Sequence, residues 1–130
     1  MPKLPKQPKP RNTQAIRQAW AGERAAAAQA RAMGDTTAEW HHLERAHILS
    51  QPLPVAHVRT HAAMLGAGLR RRDRREVVGQ LVRLLVAGPG SAVGRYPLGN
   101  TGGANVSAVT PMPIPADLQA VLDGTVVASS

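Results

Sequence analysis

All five histidines of the 130-residue chain, His41, His42, His47, His57 and His61, fall between positions 41 and 61. Neutral imidazole nitrogens, with a carboxylate, bind zinc and other divalent first-row ions. His57 and His61 are four apart, so on a helix both project from one side. Glu44 and His47 are three apart and are also helical neighbours. If the two helices fold as an antiparallel hairpin about Pro52, His47 faces His57, and Glu44 faces the turn that holds Thr60 and His61. The candidate ligands are therefore Glu44, His47, His57 and His61, with His41 as a further one, and zinc is the first ion this donor set suits. A single Glu-x-x-His does not make a di-iron carboxylate bundle, which needs two such pairs and two more carboxylates. A structural reading stands beside the metal. His47 shares its face with Trp40 and Leu43, the usual place of a core histidine satisfied by one hydrogen bond. The cluster is then packing, or a pH-sensitive polar network.

Other candidate chemistry is weaker. The run Gly99-Asn100-Thr101-Gly102-Gly103 lacks the Lys-Ser/Thr ending of a phosphate loop. It reads as a tight loop folded back over the helices. Gly99, Asn100, Thr101 and Gly102 shape that loop, and Arg95 is placed to pair with an acid such as Glu44 or Asp117. Ser91, Thr101 and Thr110 are scattered, and no Gly-x-Ser-x-Gly elbow exists, which argues against an enzyme. There is no cysteine, so disulfides and thiolate sites are excluded.

The net charge is +8. The excess lies mostly in Lys3, Lys6, Lys9 and Arg11 at the front and in Arg70, Arg71, Arg72, Arg74 and Arg75. A Pro-Lys repeat of three lines its lysines along one edge of a polyproline II helix. These two stretches form a weak polyanion-binding candidate. Nucleic acid is a poor fit, because the element after the arginines is too apolar for a recognition helix and three aromatics cannot build a stacking platform. No stretch has the length of a membrane span, and no apolar run follows the basic start, so the expected place is the cytoplasm. A protein partner and the oligomeric state stay open.

The elements that must hold these residues are helices. Residues 1–12 read as a disordered Pro/Lys tail. Thr13 caps a helix over 14–33 with Ile16, Trp20, Ala27 and Ala30 on one face. Thr36 and Glu39 form a capping box for 36–50. Pro54 opens a third helix, 55–69, with Val58, Ala62, Leu65 and Leu69 as its stripe. Asp73 and Glu76 cap a fourth over 73–87, whose Val77, Val78, Leu81, Val82, Leu84 and Leu85 make it the most hydrophobic element, and Gly88-Pro89-Gly90 stops it. Residues 88–115 are irregular, with a short extended piece at Val106, Ala108 and Val109. A short helix spans 116–122, and 124–130 fray. The cores are built from small residues, with Trp20 and Trp40 as bulky anchors. The fold expected is all-α: two antiparallel helical hairpins forming one domain over 13–123, with the Gly/Pro-rich C-terminal segment wrapped across them.

Two resemblances follow. Gly34-Asp35, Trp40-His41-His42-Leu43-Glu44-Arg45-Ala46-His47 and Gln51-Pro52 resemble half of a tetratricopeptide-type repeat, which implies helical hairpin packing. More of the chain, from about Ala19 to Leu122, resembles the bacterial domain-of-unknown-function family 3703. The residues that carry it are Trp40-x-x-Leu43-Glu44-Arg45-Ala46-His47-Ile48-Leu49-x-Gln51, His57-x-x-x-His61-x-x-Met64-Leu65, Arg72-Asp73, Gly79-Gln80, Gly94-Arg95-x-Pro97-x-Gly99-Asn100-Thr101-Gly102 and Pro113-Ile114-Pro115. That family has no assigned activity, so the resemblance carries over no catalytic residue. The leading reading is a non-enzymatic metal-ion-binding helical domain suited to metal handling or sensing. Its alternatives are a helical protein–protein interaction module with structural histidines and a basic nucleic-acid-associated protein.

Overall fold

A computed structural model describes residues 4–107 and 110–125. The Lys3, Ala108 and Val109 assignments and the tail from 126 onward lie outside the described residues. Among those described, the chain is all-helical: α1 (Thr13–Ala32), α2 (Thr36–Ser50), α3 (Pro54–Arg70), α4 (Arg74–Ala92) and α5 (Ala116–Asp123). Helix α1 packs on α2 and α3 on α4, and α2 on α3 joins the two hairpins.

Each helix start has a local cause. The cap of α1 is Asn12 rather than Thr13: its side chain accepts from the Ala15 amide at 3.0 Å. Asp35, not Thr36, caps α2 by accepting from Ala38 N at 2.9 Å. That frees Glu39 from the expected capping box, and its buried carboxylate pairs instead with Arg70 of α3 at 2.5 Å. Pro54 sits in the first turn of α3, where its missing N–H costs nothing. Asp73 caps α4 through Glu76 N at 3.0 Å.

The apolar core lies in two clusters. Ile16, Ile48, Leu49, Leu53, Ala56 and Leu118 form one, with Trp20 packed against it; Ala27, Leu43, Met64 and Ala67 form the other, with Trp40 against it. Trp20 Nε1 donates to Thr60 Oγ1 at 2.8 Å, tying α1 to α3.

Two stripe assignments are overturned. Helix α3 buries Ala56, His57, Thr60, His61, Met64 and Ala67, and leaves Ala62 and Leu69 exposed. Helix α4 is inverted further. It buries Glu76, Gln80, Arg83, Ala87 and Ser91, while Val78, Leu81, Val82, Leu85 and Val86 are each more than half exposed. Polar groups go inside only where they find hydrogen-bond partners, and those partners are the histidines of α2 and α3 with the loop that follows α4. The same need carries α4 past its expected stop. It continues through Pro89 to Ala92, which puts Ser91 on the buried face.

Residues 4–12, expected as a disordered tail, make specific contacts. Gln7 N donates to Gly94 O at 2.7 Å, and Arg95 Nη1 donates to Leu4 O at 2.7 Å. No helix among the described residues is long and apolar enough to cross a membrane.

Candidate metal centre

His47 comes from the last turn of α2, His57 from the first turn of α3, and His61 from one turn further on. The antiparallel hairpin about Pro52 sets the first two opposite each other, and helical spacing stacks the third beside them. All three are buried, at 3 to 5 % exposure. Their Nε2 atoms form a nearly equilateral triangle. His47–His57 and His47–His61 are each 3.0 Å apart, and His57–His61 is 3.2 Å.

The outer nitrogens decide what that triangle is. His47 Nδ1 lies 2.6 Å from the Asn100 carbonyl oxygen, which can only accept. His57 Nδ1 lies 2.6 Å from Ser91 Oγ, and that hydroxyl's hydrogen is already given to Gln51 O at 2.5 Å. His61 Nδ1 lies 2.5 Å from Gln80 Oε1. The Gln80 amide is oriented by its other end, which donates to Glu76 Oε1 at 2.6 Å and to Gly102 O at 2.7 Å. Each ring therefore carries its proton on Nδ1 and gives it outward. Burial pushes all three pKa values down, His57 to about 3 and His61 to about 4, and His47 falls well below its ordinary value. The neighbouring imidazoles depress His47 and His57 further, and nearby Arg83 does the same for His47 and His61. Neutral rings protonated at Nδ1 have bare lone pairs at Nε2. Three such lone pairs converge on one another, which is repulsive unless a cation lies between them.

The geometry suits an ion. With metal–nitrogen bonds of about 2.0–2.1 Å, a tetrahedral face has nitrogen edges of about 3.3–3.4 Å and an octahedral face about 2.9 Å. The observed 3.0–3.2 Å lies between them. An ion bonded to all three would stand about 1 Å above their plane.

Of the five candidate ligands, these three are brought together, and within the described residues they are the group able to hold an ion. Glu44 and His41 do not join them. His41 is exposed. Glu44 lies beside Thr101, its carboxyl pushed up chiefly by burial, against the lowering effects of Thr101 and His41. Three residues before His47 on a helix is a turn of about 300°, so Glu44 points about 60° away from the histidine's direction. His42 pairs with Glu23 at 2.7 Å.

The supporting residues were given no site role in the sequence, and Glu76, read there as a cap of α4, instead accepts from Gln80 Nε2 and Ala104 N. Gln80, Ser91, Gln51, Glu76 and Arg83 are all buried around the histidines. A signal for most of them exists, in the polar stripe 76, 80, 83, 91 on one face of an otherwise apolar helix. The glycine loop is pinned by hydrogen bonds of its own. Asn100 Nδ2 donates to Ser107 O and Thr110 O, each at 2.8 Å, while its Oδ1 accepts from Gly102 N at 2.9 Å. Gly99 N donates to Gln51 Oε1 at 2.9 Å. Arg95 does not pair with Glu44 or Asp117: it holds Leu4, and Asp117 pairs with Arg45.

The basic stretches are partly committed elsewhere. Arg70 pairs with Glu39, and Arg71 stacks 5.4 Å over the Trp40 ring. Arg72, Arg74, Arg75, Lys6, Lys9 and Arg11 are exposed. Arg72 stands at φ 54°, closing the turn between α3 and α4.

The three histidines form part of the wall of a cavity of about 580 Å³ between α4 and residues 95–97. No curated protein and no solved structure matches the chain. Residues 14–122 match the family model described as "Protein of unknown function (DUF3703)", and the chain belongs to that family.

Proposed function

We propose that the domain binds one divalent first-row metal ion, zinc first, through Nε2 of His47, His57 and His61, and acts in metal handling or sensing. One observation carries this: three Nε2 atoms lie 3.0–3.2 Å apart while every Nδ1 is committed to an outward acceptor. Orientation of each ligand by its other nitrogen is the usual second layer of a histidine metal site. Here Glu76 acts on His61 through Gln80. Three protein ligands leave a position that the cavity can serve, unlike a closed four-ligand structural site.

The test is metal content and thermal stability of tag-free chain with added zinc, cobalt, nickel or copper, beside the His57→Ala, His61→Ala double variant. Roughly one retained equivalent, with a stabilisation that the variant loses, is expected. No retention by the native chain at concentrations well above micromolar would leave the histidines as a buried polar network.

A second reading has its own observation. The exposed Val78, Leu81, Val82, Leu85 and Val86 of α4 are the contiguous apolar surface that an interaction module needs. Sedimentation of native chain against Leu81→Glu, Leu85→Glu is its test.

A further inference from the structure

The cavity beside the histidines has one sign of charge and one dominant surface type. Among the described residues that line it, the ionisable groups other than the histidines and Tyr96 are Arg83 and Arg95, and no acid is present. Arg83 is 8 % exposed, and its guanidinium is felt by both His47 and His61. Gln51 and Asn100 are the uncharged polar side chains of the wall, both committed to the loop that follows α4. Most of the remainder is apolar, with Val82, Leu85, Val86 and Val93 of α4 and its end standing more than half exposed along it. A pocket of a few hundred Å³ with apolar walls and a few convergent polar groups is the common form of a small-molecule site.

Three neutral imidazoles leave the full charge of a divalent ion uncompensated, and Arg83 adds to it. Glu76 offsets part of this from behind Gln80, on the side away from the cavity lining. Buried charge of this kind must be paired. An anion entering from the cavity side would complete the ion's coordination and balance this charge, and the walls behind it favour a hydrocarbon body.

We propose that the cavity binds an amphipathic monocarboxylate, its carboxylate completing the coordination of the metal beside Arg83 and its apolar part lying along Val82, Leu85, Val86 and Val93. This rests on the metal site proposed above. Arg83 is already held in place, donating to Val106 O at 2.8 Å with one nitrogen. The pocket thus offers an orienting cation and an apolar rail to the same ligand.

The experiment uses the 130-residue chain loaded with cobalt(II), whose visible absorption reports its ligands, titrated with octanoate, acetate and octanol. Octanoate is expected to shift the spectrum saturably and to bind at least about tenfold more tightly than acetate, because several methylenes are removed from water. Octanol should leave the cobalt bands unchanged. Arg83→Gln should weaken octanoate by about tenfold through loss of a charge-assisted contact. As Arg83 is buried, Val86→Glu on the exposed wall serves as the second variant; it should abolish the preference for octanoate over acetate while the cobalt spectrum persists. A normal cobalt spectrum with octanoate no better than acetate overturns the proposal and leaves the metal site standing. A dimer that excludes octanoate overturns it in favour of a second copy covering the groove. No cobalt bound by the native chain removes the metal site and this inference together.

Discussion

Gly102 lies flat against the imidazole of His47: a Cβ built at Gly102 would stand 2.6 Å from the ring's Cδ2 and 2.9 Å from Nε2. The backbone there has φ +84°, a conformation that side chains disfavour. The loop thus closes on the histidine at a residue without a side chain, and the Gly102 carbonyl takes a hydrogen bond from Gln80. A methyl group at this point must push the ring, the loop, or both.

Gly102→Ala is therefore expected to destabilise the chain by about 1–3 kcal/mol and to weaken zinc by more than its effect on folding alone explains. Denaturation of metal-free variant and native chain separates the first effect from the second. Unchanged zinc affinity in a folded variant would mean that His47 is not held by this contact.

Gln80→Leu keeps the volume of the side chain but removes the acceptor for His61 and the donor to Glu76 and Gly102. Zinc affinity is expected to fall about 10–100-fold, the usual cost of a lost orienting partner. Competition with a chromogenic chelator measures it. His61→Ala should cost more than Gln80→Leu; the reverse order would count against His61 as a ligand.

The inversion of α4 makes a paired stability prediction. Leu85 is 79 % exposed, so Leu85→Gln should change unfolding free energy by no more than about 0.5 kcal/mol in the monomer. Leu49, at 0 % exposure, should cost about 2–5 kcal/mol as Leu49→Ala. A large loss from Leu85→Gln would show that the face is covered in solution.

The metal-free chain should lose stability as pH falls. Burial holds His57 at about 3 and His61 at about 4 in the folded state, against 6.5 when unfolded. The unfolded chain then binds more protons, so stability from these rings is complete above about 6.5 and is lost downward toward about 3. Urea titrations at several pH values should show this slope, and the triple variant His47→Gln, His57→Gln, His61→Gln should flatten it. Zinc should raise stability most at neutral pH, since it competes with protons for the same nitrogens.

Asp35→Ala removes the side chain that caps α2 and should cost about 1 kcal/mol. Thr36→Ala should cost less, because Thr36 is already inside the helix. Thermal denaturation of the two variants orders them.

Helix identity, the Pro52 hairpin and the opposition of His47 and His57 were legible in the sequence, because each depends on local rules: turn residues, caps and the four-residue repeat. Which residues reach the centre was a matter of rotation about each helix axis, and only the tertiary structure decided it. Rotation sent Glu44 toward Thr101 and brought the His57–His61–Met64 face of α3 inward in place of the Val58–Leu65 one. It also turned the polar stripe of α4 inward. An apolar count ranks that helix as core, yet Gln80, Arg83 and Ser91 are buried because each finds a partner more than ten residues away in the chain. A buried polar group is stable only with such partners, and partners this distant exist only once the chain has folded.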